Sequence, residues 1–139
     1  MSDNFSNSFF SVSFAEPWLV VFELSDKESS DVEFNEFIHW HQKVIDHQSN
    51  LCLIYKASKV KYISASHRIK IGQWTKNNVE AIKSKIPGVA YCINSSMAKL
   101  ILNGIFLVQK PVYPYEIFSD EAKALEWLNG KRLAFQASK

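Results

Sequence analysis

Apolar and polar positions change period several times along this chain, and each change marks an element. Phe10, Val12 and Phe14 alternate with Ser11 and Ser13, the two-residue period of a half-buried strand. After Glu16-Pro17 a continuous apolar run over 18–24 (WLVVFEL) predicts a second strand, paired with the first as an antiparallel hairpin. The spacing then lengthens to three and four. Phe34, Phe37, Ile38, His41, Val44 and Ile45 fall on one face of a helix predicted over 31–48, and Ser30 with Glu33 supplies its capping box. A short apolar run at 51–57 is the next strand. A helix over 65–86 follows, with Ile71, Thr75, Val79, Ile82 and Ile86 as its stripe and Trp74 on the flank. Pro87-Gly88 stops it, and 88–94 reads as another buried strand. Strand, amphipathic helix, strand is a crossover unit, which makes these strands parallel and covers them with helices.

Beyond it lie a third helix over 97–109, capped by Ser95 or Ser96 and stopped by Lys110-Pro111, and a strand over 113–118 that Pro114 pushes to the sheet edge. Asp120 caps a last helix over 121–128 bearing Ala124, Leu125, Trp127 and Leu128. The order is ββαβαβαβα: an α/β fold with a mixed sheet of about five strands and about four helices. One domain is expected over 9–129, with a frayed start at 1–8 and a tail at 130–139.

Composition changes this picture little. The 139 residues are 47% hydrophobic and 22% charged, ordinary for a soluble domain, and the 10 Phe, 5 Tyr and 4 Trp favour an aromatic core. Trp18, Trp74 and Trp127 are read as core residues. Cys52 and Cys92 sit inside predicted strands as small hydrophobes and form no disulfide framework, so a reducing cytoplasm is expected. The start has no basic and apolar leader, and the longest apolar run, 100–108, is too short to cross a bilayer.

Charge is more informative. Residues 1–50 carry nine carboxylates against Lys27 and Lys43, while 51–110 carry ten bases against Glu80 alone. That asymmetry suits a basic face meeting an acidic group, or two faces that interleave on folding.

Signatures of chemistry are sparse. His39 and His41 lie two apart on a helix and point different ways, and His47 stands at four from neither, so no metal site is expected. No Gly-x-Ser-x-Gly elbow or Gly-rich phosphate loop exists, and both cysteines lie within strands rather than at helix starts. Neither catalytic residues nor a cofactor are expected. The basic 56–85 stretch, interleaved with Tyr62 and Trp74, matches no named nucleic-acid motif, so a nucleic-acid partner is not the expectation.

Five motifs taken in order carry a resemblance: Pro17-Trp18 before a buried strand, Arg68 and Trp74 on the second helix, Gly88-Val89-Ala90, Pro111-Val112-Tyr113-Pro114, and Ala124-Leu125-Glu126-Trp127-Leu128. Over about 9–129 the chain resembles the anti-sigma-factor-antagonist superfamily (SpoIIAA-like, STAS or STAS/SEC14-like domains), and within it a group of small stand-alone bacterial proteins without settled activity. The resemblance implies a regulatory, non-catalytic module acting through protein contacts. In the antagonists a loop reading Asp-Ser-Ser/Thr-Gly is phosphorylated on one hydroxyl. Ser66 falls at the acceptor position with Ser64 beside it, but Ser64 stands where the family has Asp and His67 where it has Gly. A phosphate here would meet free N–H groups and the nearby Arg68 and Lys70. The same corner would hold a bound anion, or Ser64 would serve only as the helix N-cap.

The third helix is apolar on more than one face. With Met97, Ile101, Gly104 and Val108 toward the sheet, Leu102, Phe106 and Leu107 would form a surface for a protein partner or a second copy. A module that docks through the 59–70 corner and this helix is the expectation. A small-molecule or lipid-binding domain with an internal pocket is the alternative.

Overall fold

A computed structural model describes residues 4–47 and 50–138, so the expected helix end at Gln48, the first three residues and Lys139 lie outside the described residues. The strands are β1 (Phe5–Ser6), β2 (Phe10–Glu16), β3 (Leu19–Leu24), β4 (Cys52–Lys56), β5 (Val89–Cys92) and β6 (Tyr115–Phe118), and the helices are α1 (Asp31–Asp46), α2 (Ala65–Asn77), α3 (Val79–Lys85), α4 (Ser96–Val108) and α5 (Glu121–Ala137). They build one mixed sheet in the order β1-β2-β3-β4-β5-β6. β1, β2 and β3 pair antiparallel, while β3, β4, β5 and β6 run parallel.

The alternation of side chains sorts the core into two layers. Phe22, Leu53, Val89 and Tyr91 point to one face, under α1, α2, α3 and α4. Leu19, Cys52, Ile54 and Ala90 point to the other, under Ala124 and Leu128 of α5. Because β4 and β5 are covered on both faces, they are almost uniformly apolar, as the sequence reading expected, while the parallel edge strand β6 is largely exposed.

Three expectations need correction. The start is not frayed throughout, because Phe5 and Ser6 pair with Val12 and Ser11, and the Phe5 ring stacks on Trp40 at 5.6 Å. The predicted 65–86 helix breaks at Asn78, whose φ of −123° and ψ of 20° leave the helical region, giving α2 and α3. The expected 130–139 tail is mostly helix: α5 runs to Ala137, and the Arg132 guanidinium lies 4.6 Å over the Trp18 ring.

Ser30 caps α1 as the sequence implied. Its hydroxyl accepts from Glu33 N–H at 3.1 Å while Glu33 Oε1 accepts from Ser30 N–H at 3.0 Å. Ser30→Ala is expected to cost about 1 kcal/mol in a urea titration with an unchanged m-value. An unchanged midpoint would deny the cap any part in stability.

Candidate functional site

Consecutive parallel units start their helices at the same end of the sheet, so the beginnings of α1 and α2 meet there. The loop after β4 leads into α2, and Ser64 caps that helix by accepting from His67 N–H at 3.2 Å. The His67 ring is buried and stacks on Phe34 with ring centres 4.4 Å apart. Its Nδ1 lies 2.9 Å from the Ser29 hydroxyl and its Nε2 lies 2.8 Å from Asp31 Oδ1. Both contacts are satisfied when Ser29 O–H donates to Nδ1 and Nε2–H donates to Asp31. The His67 hydrogen bond, reinforced by the Lys70 charge, holds the Asp31 carboxyl below the usual aspartate range.

Serine, histidine and aspartate in a row invite a catalytic reading, but the arrangement is inverted. A hydrolytic triad places an accessible serine on Nε2 and a buried carboxylate on Nδ1. Here Ser29 is buried, while the Asp31 side chain is 86% exposed. What the three residues accomplish is a tie that binds the start of α1 to the start of α2.

The residues singled out at this corner divide. Ser66 is exposed on the first turn of α2, with its hydroxyl 3.2 Å from that of Ser64. Lys70 stands four residues on from Ser66, on the same face, and its Nζ donates to Asn35 Oδ1 on α1 at 2.7 Å. Arg68 is turned elsewhere: its side chain lies over α4, where a methyl added to Gly104 would come within 3.4 Å of Nη1. Of the four expected anion-site residues, only Ser64, Ser66 and Lys70 therefore gather at the corner. The opposite charges of the two halves of the chain also meet here, Lys70 beside Asp31; elsewhere Lys56 pairs with Glu121 at 2.9 Å.

The third-helix surface also changes. Leu102 is only 6% exposed and faces the core with Ala98, and the Phe106 ring packs on Tyr91 and Tyr115 at 5.8 and 5.1 Å. The expected core positions Met97 and Val108 are the exposed ones. The helix is rotated relative to that expectation, with Val108 pressed against α2, where a methyl on Gly72 would come within 2.4 Å of its side chain. Of the expected contact residues, Leu107 alone is fully outward, 89% exposed.

Under the corner the core is not completely filled. A cavity of about 90 Å³ lies at the ends of β3, β4 and β5, walled by Val60 and Ile63 of the loop, by Phe34 and Phe37 of α1, and by Ile101 and Leu102 of α4. Beside it, His41 is buried and fully satisfied: Nδ1–H donates to Phe37 O at 2.7 Å, and Nε2 accepts from Tyr55 O–H at 2.6 Å. Burial lowers its pKa to about 4, against the smaller opposing effect of the Phe37 carbonyl. His41 therefore stands in the core as the sequence reading expected. Among the described residues, no group of three or more His, Cys, Asp or Glu side chains is placed to hold a metal, and no helix is long and apolar enough to cross a membrane.

Sequence reasoning missed the Ser29–His67–Asp31 tie and treated His67 only as a departure from a motif. Its signal was positional, since Asp31 and His67 each sit in the first turn of a helix, and parallel crossovers put those turns side by side.

A search of curated proteins finds no match to this chain. Among solved structures, the anti-sigma factor antagonist SpoIIAA in its unphosphorylated form is similar in fold, with a TM-score of 0.62 at 14% identity, covering 87% of this chain and 96% of that one. The likeness extends the expected STAS-type architecture over most of the molecule. The profile of the family described as Domain of unknown function (DUF7793) matches residues 18–132, and to that family this chain belongs.

Proposed function

We propose that this chain is a non-catalytic regulatory module that binds another protein through the loop before α2, the outer side of α2 and the outer side of α4. One observation carries the reading. Large apolar side chains that a lone soluble domain would tend to cover stand out on these adjoining elements: Tyr62 at 54%, Ile69 at 47%, Met97 at 52% and Leu100 at 70% exposure, with Leu107 beyond them. Lysines 59, 61 and 99 accompany them on the same elements, so a partner with acidic groups around an apolar centre suits the surface. SpoIIAA is named as an antagonist of an anti-sigma factor, and the shared fold lends the reading support by analogy.

Ser66 is the residue at which such docking would be switched. It is exposed, it lies over the free N–H groups of α2, and Lys70 stands on its face. The buried Ser29 has no comparable access.

The test is a photo-crosslinking amino acid placed at Tyr62 or at Leu107, with Ala122 on α5 as the control position, in the cells that make the protein. One discrete adduct, shared by the two docking positions and absent from the control, is expected. Intact mass of the same preparations reports whether the Ser66 hydroxyl carries a phosphate that Ser66→Ala removes. An adduct of twice the chain mass would make the partner a second copy. Equal labelling at all three positions, or none, would sink the docking surface.

A further inference from the structure

We infer that the cavity beneath the α2 corner is a binding site for a small, wholly apolar molecule, of a few carbon atoms and without a charged or hydrogen-bonding group. Size sets the first limit. An engineered core cavity of about 150 Å³ lined by Leu, Ile and Phe stays dry and takes up benzene or xenon, and this one is about 90 Å³. A long acyl chain is therefore too large, whereas xenon or a three-carbon hydrocarbon is not.

The lining sets the second limit. Apart from His41, Tyr55 and Tyr91, the wall is aliphatic or phenylalanine. Those three polar side chains are already committed: His41 and Tyr55 bond to each other at 2.6 Å, and the Tyr91 hydroxyl lies 2.5 Å from that of Tyr113. A ligand carrying a carboxylate or hydroxyl would lose its water and find no partner in exchange. Water is disfavoured for the same reason, since it needs two or more polar neighbours.

The fold also offers a way in. Most of the lining is buried; of its partly exposed residues, Tyr55 and Ala57 lie on and just after β4, while Ile71, Ile101 and Ile105 belong to the facing helices α2 and α4. Gly72 seats Val108 at the far end of that seam, and the Arg68 side chain lies across Gly104 within it. The site rests on the core alone and stands whether or not the outer surface docks a protein.

The test uses the full chain, with isoleucine and leucine methyls labelled for NMR and xenon as the probe. Shifts at Ile101, Leu102 and Ile105 are expected to grow with xenon pressure and saturate, while methyls under α5, such as Leu128, stay put. Ala98 is 2% exposed and lines the cavity, so Ala98→Leu should fill it and abolish the saturating shifts. Ile105→Phe fills it from the seam and serves if the tighter substitution disturbs the fold. Cyclopropane should compete with xenon and octanoate should not. Shifts that rise linearly without saturating in the wild type, or that persist in a folded filled variant, would overturn the site. Saturable binding of octanoate would overturn its assignment to ligands without a polar group.

Discussion

Phe37→Ala is expected to destabilise this protein by about 4 kcal/mol. Phe37 is the hub of the aromatic core. Its ring meets Phe9, Phe10, Phe22, Phe34 and His41 at centre distances between 4.5 and 5.6 Å, three of the four phenylalanine contacts edge to face. Those neighbours come from β2, β3, α1 and the segment before β2, so no one element can move in to refill the space. The residue also walls the cavity, and removing it enlarges a void that already exists. Urea titration of the variant should show the midpoint falling steeply, and a loss near 1 kcal/mol would mean that the core collapses around the gap. Stability of this size is a large share of the 5–15 kcal/mol that ordinary domains possess.

Acid should remove about 3 kcal/mol of stability between pH 6.5 and about 4 through His41 alone. The folded state holds this ring neutral down to about pH 4, while the unfolded chain protonates it near its ordinary 6.5. Over that window the unfolded state binds more protons, so stability is complete above 6.5 and declines as the pH falls. The gap is worth about 1.4 kcal/mol per pH unit. Around the ring stand Phe22, Tyr55 and Trp74, and among the described residues no carboxylate acts on it to rescue the imidazolium. The Asp31 and Glu33 carboxyls, both held low, contribute in the same direction, but only as the pH falls below the ordinary carboxylate range. His41→Gln keeps a polar side chain there but cannot titrate. Its stability should be nearly flat from pH 6.5 to 4.5, and a wild-type slope in that variant would assign the acid sensitivity to another group.

Much of the architecture was legible in the chain. The period of two at Phe10, Val12 and Phe14, the three-four spacing from Phe34 to Ile45, and the capping pair Ser30 and Glu33 are local signals, and local geometry obeyed them. The parallel centre followed from uniformly apolar β4 and β5 with a helical segment between. Where the reading failed, the deciding force lay outside the segment. Residues 5–6 are short and polar-flanked, and pair only because β2 offers a free edge. The continuation of α5 past Leu128 is carried by Arg132 over Trp18, a contact across more than a hundred residues of sequence.

What the chain settled by itself is therefore the succession of elements and the inward face of those with a strong stripe, since pleat and helical pitch are properties of neighbouring residues. The face of α4 was decided only in three dimensions. Its 13 residues are apolar nearly all round, so periodicity could not choose between Leu102 and Met97, and close packing against Gly72 of α2 chose for it. The corner was decided in the same way. Ser29, Asp31 and His67 carry no mutual spacing that a sequence can reveal, because hydrogen bonds between helix starts depend on where whole helices lie. The cavity has no signal in sequence at all, being the space that 15 well-chosen side chains leave unfilled when the layers close.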